Sequence, residues 1–142
     1  MRRQVLLAAF VAASLTVVAT RALAGEPAKE KAATTAAETW LALVDSGKYA
    51  ESWKEAAAFF KGAITADAWS QALEGTRKPL GKLVSRKVKS ATHMTSVPGA
   101  PDGEYVVIQF ETTFEAKKTA VETVTPMLDK DGKWRVSGYF IK

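Results

Sequence analysis

The chain has 142 residues, no cysteine, one histidine and a formal net charge of +5. Those counts exclude disulfides, a lipid-bearing cysteine and any metal centre built on cysteines or paired histidines. The charge invites a nucleic-acid partner, but Arg2, Arg3 and Arg21 belong to an N-terminal segment without an acid, and removing those three of the 20 basic residues while keeping all 15 acidic ones lowers the net charge to +2.

That segment has the form of a secretory signal. Arg2 and Arg3 precede an apolar run from Val5 to Ala19, and Ala22, Leu23 and Ala24 stand before Gly25. The run is shorter than the roughly 20 residues a membrane-spanning helix needs. Cleavage after Ala24 is therefore expected, giving an exported protein, periplasmic or secreted, with no stable membrane span afterwards. Nucleic acid is a poor partner outside the cytoplasm. Residues 1–24 are read as the signal, 25–30 as a flexible start around Pro27, and 31–142 as a single domain.

From Lys31, Ala33, Ala36, Ala37, Trp40, Leu41, Leu43 and Val44 fall on helical spacing. The helix is expected to end near Ser46, because Gly47 can adopt the left-handed conformation that closes one. A second helix is predicted from Tyr49 to Lys61, burying Trp53, Ala57 and Phe60. Thr65 is a suitable N-cap for a third, with Asp67 in its first turn and Pro79 preventing continuation.

After Gly81 the period changes to two. Val106, Ile108, Phe110, Thr112 and Phe114 alternate with Gln109, Glu111, Thr113 and Glu115, the pattern of a half-buried strand. Strands are also predicted over Leu83–Thr95, Ala120–Asp129 and Trp134–Ile141, with turns at Pro98–Gly103 and at Asp131-Gly132. The turn reading of Asp129, Asp131 and Gly132 is preferred to a calcium loop, since Lys133, Trp134 and Arg135 follow where oxygen ligands are needed. Pairs summing to 200 in the first hairpin place Val88 opposite Thr112, Met94 opposite Val106 and Lys89 beside Glu111 on the outer face. Pairs summing to 263 in the last place Met127 opposite Val136 and Thr125 opposite Gly138. The expected architecture is α+β: three N-terminal helices packed on a curved, cone-like four-stranded antiparallel meander.

Trp40, Leu41, Val44, Asp45, Gly47, Tyr49 and Trp53, the Pro98–Tyr105 hairpin, and the run from Val121 through Pro126, Asp131 and Gly132 to Trp134, Val136, Gly138 and Tyr139 resemble one secreted bacterial family, domain of unknown function four-zero-one-nine. The resemblance implies a fold and no activity. The order of helices and meander is also similar, in topology alone, to the cone fold of nuclear transport factor and ketosteroid isomerase, which hosts enzymes and binding modules alike.

No glycine-flanked nucleophile stands near His93, which this register puts on the polar face with Lys87, Lys89 and Thr95. Glu104, Glu111, Glu115 and Glu122 are read as lying on or near the polar face, where carboxylates need no chemistry to explain them. The aromatic set of Trp40, Trp53, Phe59, Phe60, Trp69, Phe110, Phe114, Trp134 and Phe140 is read as core. Ser90, Thr92, Thr112, Thr123 and Thr125 map to the helix-facing side, with Arg86 between Val84 and Val88. Together with Trp40 and Trp53 they form the candidate ligand-binding set, a cleft for a small, partly apolar ligand with an anionic end. The competing arrangement is a filled interior in which Arg86 pairs with a glutamate or reaches solvent along its stem. No catalytic residue, metal or cofactor is assigned.

The expected function is a non-catalytic binding or interaction domain whose partner is a small molecule or an envelope protein. The alternative is a cofactor-free isomerase or hydrolase, which would need a buried carboxylate or histidine aimed into a cavity. Docking of an envelope protein would need an exposed apolar patch around Tyr105, Val107, Val124 and Tyr139. No motif specifies an oligomeric state.

Overall fold

The computed structural model describes residues 21–142, with side chains from Glu26 onward, so the expected signal segment falls mostly outside the described residues. Four helices, α1 (Arg21–Asp45), α2 (Tyr49–Lys54), α3 (Ala58–Ala63) and α4 (Ala66–Thr76), precede a 3₁₀ turn at Lys78–Leu80 and four strands, β1 (Leu83–Met94), β2 (Tyr105–Phe114), β3 (Lys117–Leu128) and β4 (Trp134–Ile141). The strands form one open antiparallel sheet in the order β1-β2-β3-β4, an α+β fold.

Residues 25–30, expected as a flexible start, lie within α1. The alanine-rich sequence favours helix on both sides of Pro27, and Lys29 Nζ is held 2.5 Å from Glu104 Oε1 at the start of the sheet's second strand. Ala33, Ala37, Trp40, Leu41 and Val44 form the buried stripe of this helix. It closes where Gly47 takes φ 74°, with Gly47 N–H bonded to Val44 O and Lys48 N–H to Leu43 O. The single second helix expected over 49–61 is two. Between them Ala57 is extended and its N–H donates to Val136 O of β4 at 2.8 Å, so a sheet contact replaces a helical bond. Thr65 caps α4 through Ala68 N–H as expected.

The helices cover one face of the sheet. Val106, Ile108, Phe110, Thr112 and Phe114 of β2 are all buried on it, as the alternation predicts. The neighbouring strands depart from the predicted register, and they carry extra residues: β1 at Val84 and at Lys89, β3 and β4 at one place each. Val88, expected opposite Thr112, pairs with Phe110 while Arg86 takes Thr112, and Ser90 then pairs with Gln109, leaving Lys89 as a β-bulge. On β3, Phe114 faces Lys117 while Thr112 faces Ala120, so Lys118 and Thr119 together oppose Thr113. On β4, Thr125 faces Gly138 as expected, but Pro126 faces Val136, leaving Ser137 extra and Met127 opposite Arg135.

Each bulge reverses the facing of every residue beyond it. The outer-face ion pair with Glu111 is made by Lys87, at 3.1 Å, and not by Lys89, because the pairing over Ser85–Val88 is offset by two residues from the expected one. Met94 lies opposite Tyr105 instead of Val106, and His93, opposite Val106, turns to the helix side with its Nε2 3.6 Å from Glu104 Oε1. The expected outer patch is likewise absent: Val124 and Tyr139 face the helices, while Tyr105 is buried and donates its hydroxyl to Pro101 O. At the last turn, Arg135 bonds both Asp129 and Asp131, so these acids are used within the hairpin.

The helix layer is pinned by indole donors. Trp40 Nε1 bonds Ser52 O at 2.8 Å, Trp69 Nε1 bonds Ser52 Oγ at 3.0 Å, and Trp53 Nε1 bonds Ile64 O at 2.7 Å. Ser52 is fully buried, so Ser52→Ala strands the Trp69 donor away from water. Urea unfolding is expected to show a loss of about 1–3 kcal/mol, the cost of an unsatisfied buried polar group.

Candidate functional site

A buried polar cluster lies where the end of α1 meets β1 and β3. Arg86 Nε bonds Glu122 Oε1 at 2.7 Å, and its Nη1 and Nη2 form a two-point pair with Asp45 at 2.7 and 3.0 Å. Thr112 Oγ1 donates to the same Glu122 oxygen at 2.6 Å, and the Tyr139 hydroxyl donates to Oε2. Glu122 is 0% exposed. On the far side, Arg77 bonds Asp45 Oδ1 at 3.2 Å and Gly81 O at 2.5 Å, with its guanidinium 4.4 Å from the centre of the Phe114 ring.

The two guanidiniums and two carboxyl groups balance in formal charge, the condition under which ionic groups tolerate burial. Burial disfavours charge on Arg86, but hydrogen bonds and charges from Asp45 and Glu122 outweigh it and raise its pKa above the ordinary value. Burial, then the Glu122 charge and hydrogen bond, push the Tyr139 phenol well above its ordinary range. Both oxygens of Glu122 already accept hydrogen bonds, and both carboxylate oxygens of Asp45 bond arginine. As an arrangement this couples helix to sheet and leaves no carboxylate free to bind or exchange a proton with a substrate.

Of the residues expected to form a ligand cleft, only Arg86 and Thr112 come together, and they meet on Glu122. Ser90 and Thr92 lie exposed on the outer face beyond the Lys89 bulge, and Thr123 and Thr125 lie on that same face beyond the β3 bulge. Trp40 is core, and Trp53 is half-buried with its indole committed to Ile64. The hydroxyl-lined concave site is therefore not formed, and the filled interior with Arg86 on a glutamate is. Glu122, which the predicted register places on the polar face, is buried on the helix-facing side instead. The available signal was Arg86 itself, a cation on an apolar face that needs a carboxylate there.

A cleft of about 580 Å³ lies between α4 and the ends of β3 and β4. Trp69, Leu73, Leu80, Tyr139 and Ile141 supply its apolar lining, Lys117 and Lys142 its charged groups, and no acidic side chain borders it. A space of this size suits a small molecule. Tyr139 links cleft and cluster: its ring packs at 5.3 Å from Trp40 and its hydroxyl is turned to Glu122. Among the described residues, no group of three or more metal-ligating side chains could hold a metal ion.

Residues 36–139 match the model of a family described as protein of unknown function, DUF4019. No curated protein and no solved structure matches the chain, and the likeness to the cone fold finds no support there.

The raised pKa of Tyr139 makes a signed prediction. In the unfolded chain a tyrosine loses its proton near pH 10, whereas folded Tyr139 keeps it, so stability present below that pH is lost as pH rises through it. The fall in unfolding free energy above about pH 10 is expected to be shallower in Tyr139→Phe by up to about 1.4 kcal/mol per pH unit, the value of one proton. Denaturant unfolding across that range measures the two slopes.

Proposed function

The chain belongs to the DUF4019 family, which carries no assigned activity, and we propose that it is an exported, non-catalytic domain that binds a small apolar ligand with an anionic end. The observation that carries this reading is the cleft between α4 and the ends of β3 and β4, with Trp69, Leu73 and Tyr139 on its walls and Lys117 and Lys142 as its only charged side chains. Apolar walls would cover the body of the ligand, and the two ammonium groups would attract its anionic end. The anion partner is thus a lysine pair beside the sheet's end and not Arg86, which is occupied within the fold.

The cofactor-free enzyme reading is less well supported. It needs an ionisable acid or base facing a cavity, and the cleft has only lysines and a tyrosine whose raised pKa makes it a poor proton donor near neutrality. Export rests on the N-terminal pattern of Arg2, Arg3, the apolar run and the Ala22–Ala24 triplet.

The cleft is tested with decanoate and decanol, following Trp69 fluorescence and binding heat. Saturable decanoate binding is expected, weakened by about tenfold in Lys117→Glu/Lys142→Glu, while decanol binding changes little. Failure of both probes to bind, or equal effects of the substitutions on acid and alcohol, contradicts the reading. Export is tested separately by intact mass: the exported product is expected to begin at Gly25, and one beginning at Met1 contradicts cleavage.

A further inference from the structure

The outer face of the sheet carries a second hollow, of about 460 Å³, that the apolar cleft does not explain. It lies over the end of β2 and is bracketed by two of the β-bulges, Lys89 on β1 and Lys118–Thr119 on β3. Extra residues in a strand re-aim side chains that regular pairing would place elsewhere. Here they bring lysines from both flanking strands around Glu111 and Thr113 of the central one. Lys87 is balanced by Glu111, with 3.1 Å between Nζ and Oε2. Arg86, also at the border, is balanced by Asp45 and Glu122, and Lys89 and Lys118 make no ion pair among the described residues, so Lys87, Lys89 and Lys118 against Glu111 leave the hollow with a formal charge of +2. Ser85 and Thr119 add hydroxyl donors at its border.

We propose that this hollow is a binding site for a phosphate-type oxyanion, carried by a soluble phosphate compound or by a phospholipid headgroup. Its charge matches a dianion, and ammonium and hydroxyl groups are the donors such a group accepts from. The open, lysine-based construction makes the site sensitive to ionic strength, because exposed charges are screened over about 10 Å at 0.1 M salt. It is independent of the proposed apolar cleft: Lys117 and Lys142 border that cleft and take no part here.

The test uses the full chain at low ionic strength with two probes. Inorganic pyrophosphate is titrated by calorimetry and amide chemical shifts, and sedimentation is measured with phosphatidylcholine vesicles with and without phosphatidic acid. Lys89→Ala/Lys118→Ala removes the unpaired cations from exposed positions, and Lys48→Ala/Lys130→Ala removes the same charge elsewhere. Saturable pyrophosphate binding is expected, with shifts at Lys89, Thr113 and Thr119 and a loss of about tenfold in the first variant only. Sedimentation with phosphatidic acid vesicles alone, lost in the same variant, assigns the oxyanion to a lipid headgroup. No binding to either probe, or equal weakening by both double variants, overturns the proposal.

Discussion

The Arg86 guanidinium is the point on which the fold turns. It projects from an edge strand, and its three donating nitrogens reach two elements at once, the last residue of α1 through Asp45 and β3 through Glu122. That geometry can be met only if β1, β2 and β3 hold the observed register, with Arg86 opposite Thr112 and Phe110 opposite Glu122. Shifting either strand by one residue would turn Arg86 or Glu122 to the other face and leave a buried charge alone. A buried ion pair is weak evidence of net stability, since desolvation offsets much of the attraction, but losing one partner is severe. The cluster thus penalises the wrong register more than it rewards the right one.

Much of the architecture was legible because it depends on local chemistry. Gly47 closes α1, Thr65 caps α4, and the β2 alternation from Val106 to Phe114 marks its buried face without reference to any neighbour. The relative facing of strands was not legible, because a bulge carries no obligatory residue. Val84, Lys89, Lys118–Thr119 and Ser137 each mark one added position, and the parity beyond each is reversed. That single physical cause moves His93 inward, sends Ser90, Thr92, Thr123 and Thr125 outward, and puts Glu122 where a threonine cluster was expected. The break at Ala57 has a different cause, a hydrogen bond to β4 that local helix propensity cannot anticipate.

The same bulges shape what the surface offers. Of the hydroxyl residues expected to line a concave site, Thr112 stays inside on Glu122 while Ser90, Thr92, Thr123 and Thr125 face outward, and the interior is filled by Trp40, Trp69, Tyr139 and the charge cluster. Open space lies instead at the sheet's end, where the apolar cleft has two lysines at its border on one side of the β2–β3 hairpin and the basic hollow lies on the other. Lys117 and Lys118, adjacent in sequence, serve one space each. Asp45, Arg86 and Glu122 hold α1 against the sheet.

A double-mutant cycle on Arg86 and Glu122 tests that account most directly. Urea unfolding of Arg86→Leu, Glu122→Leu and the double variant gives the coupling between them. If the pair sets the register, each single change costs about 3 kcal/mol or more, because its partner is left buried and uncompensated. The double variant then falls short of the summed losses by about 2 kcal/mol or more. Losses that add to within about 0.5 kcal/mol would show that the two residues act independently and would contradict the account.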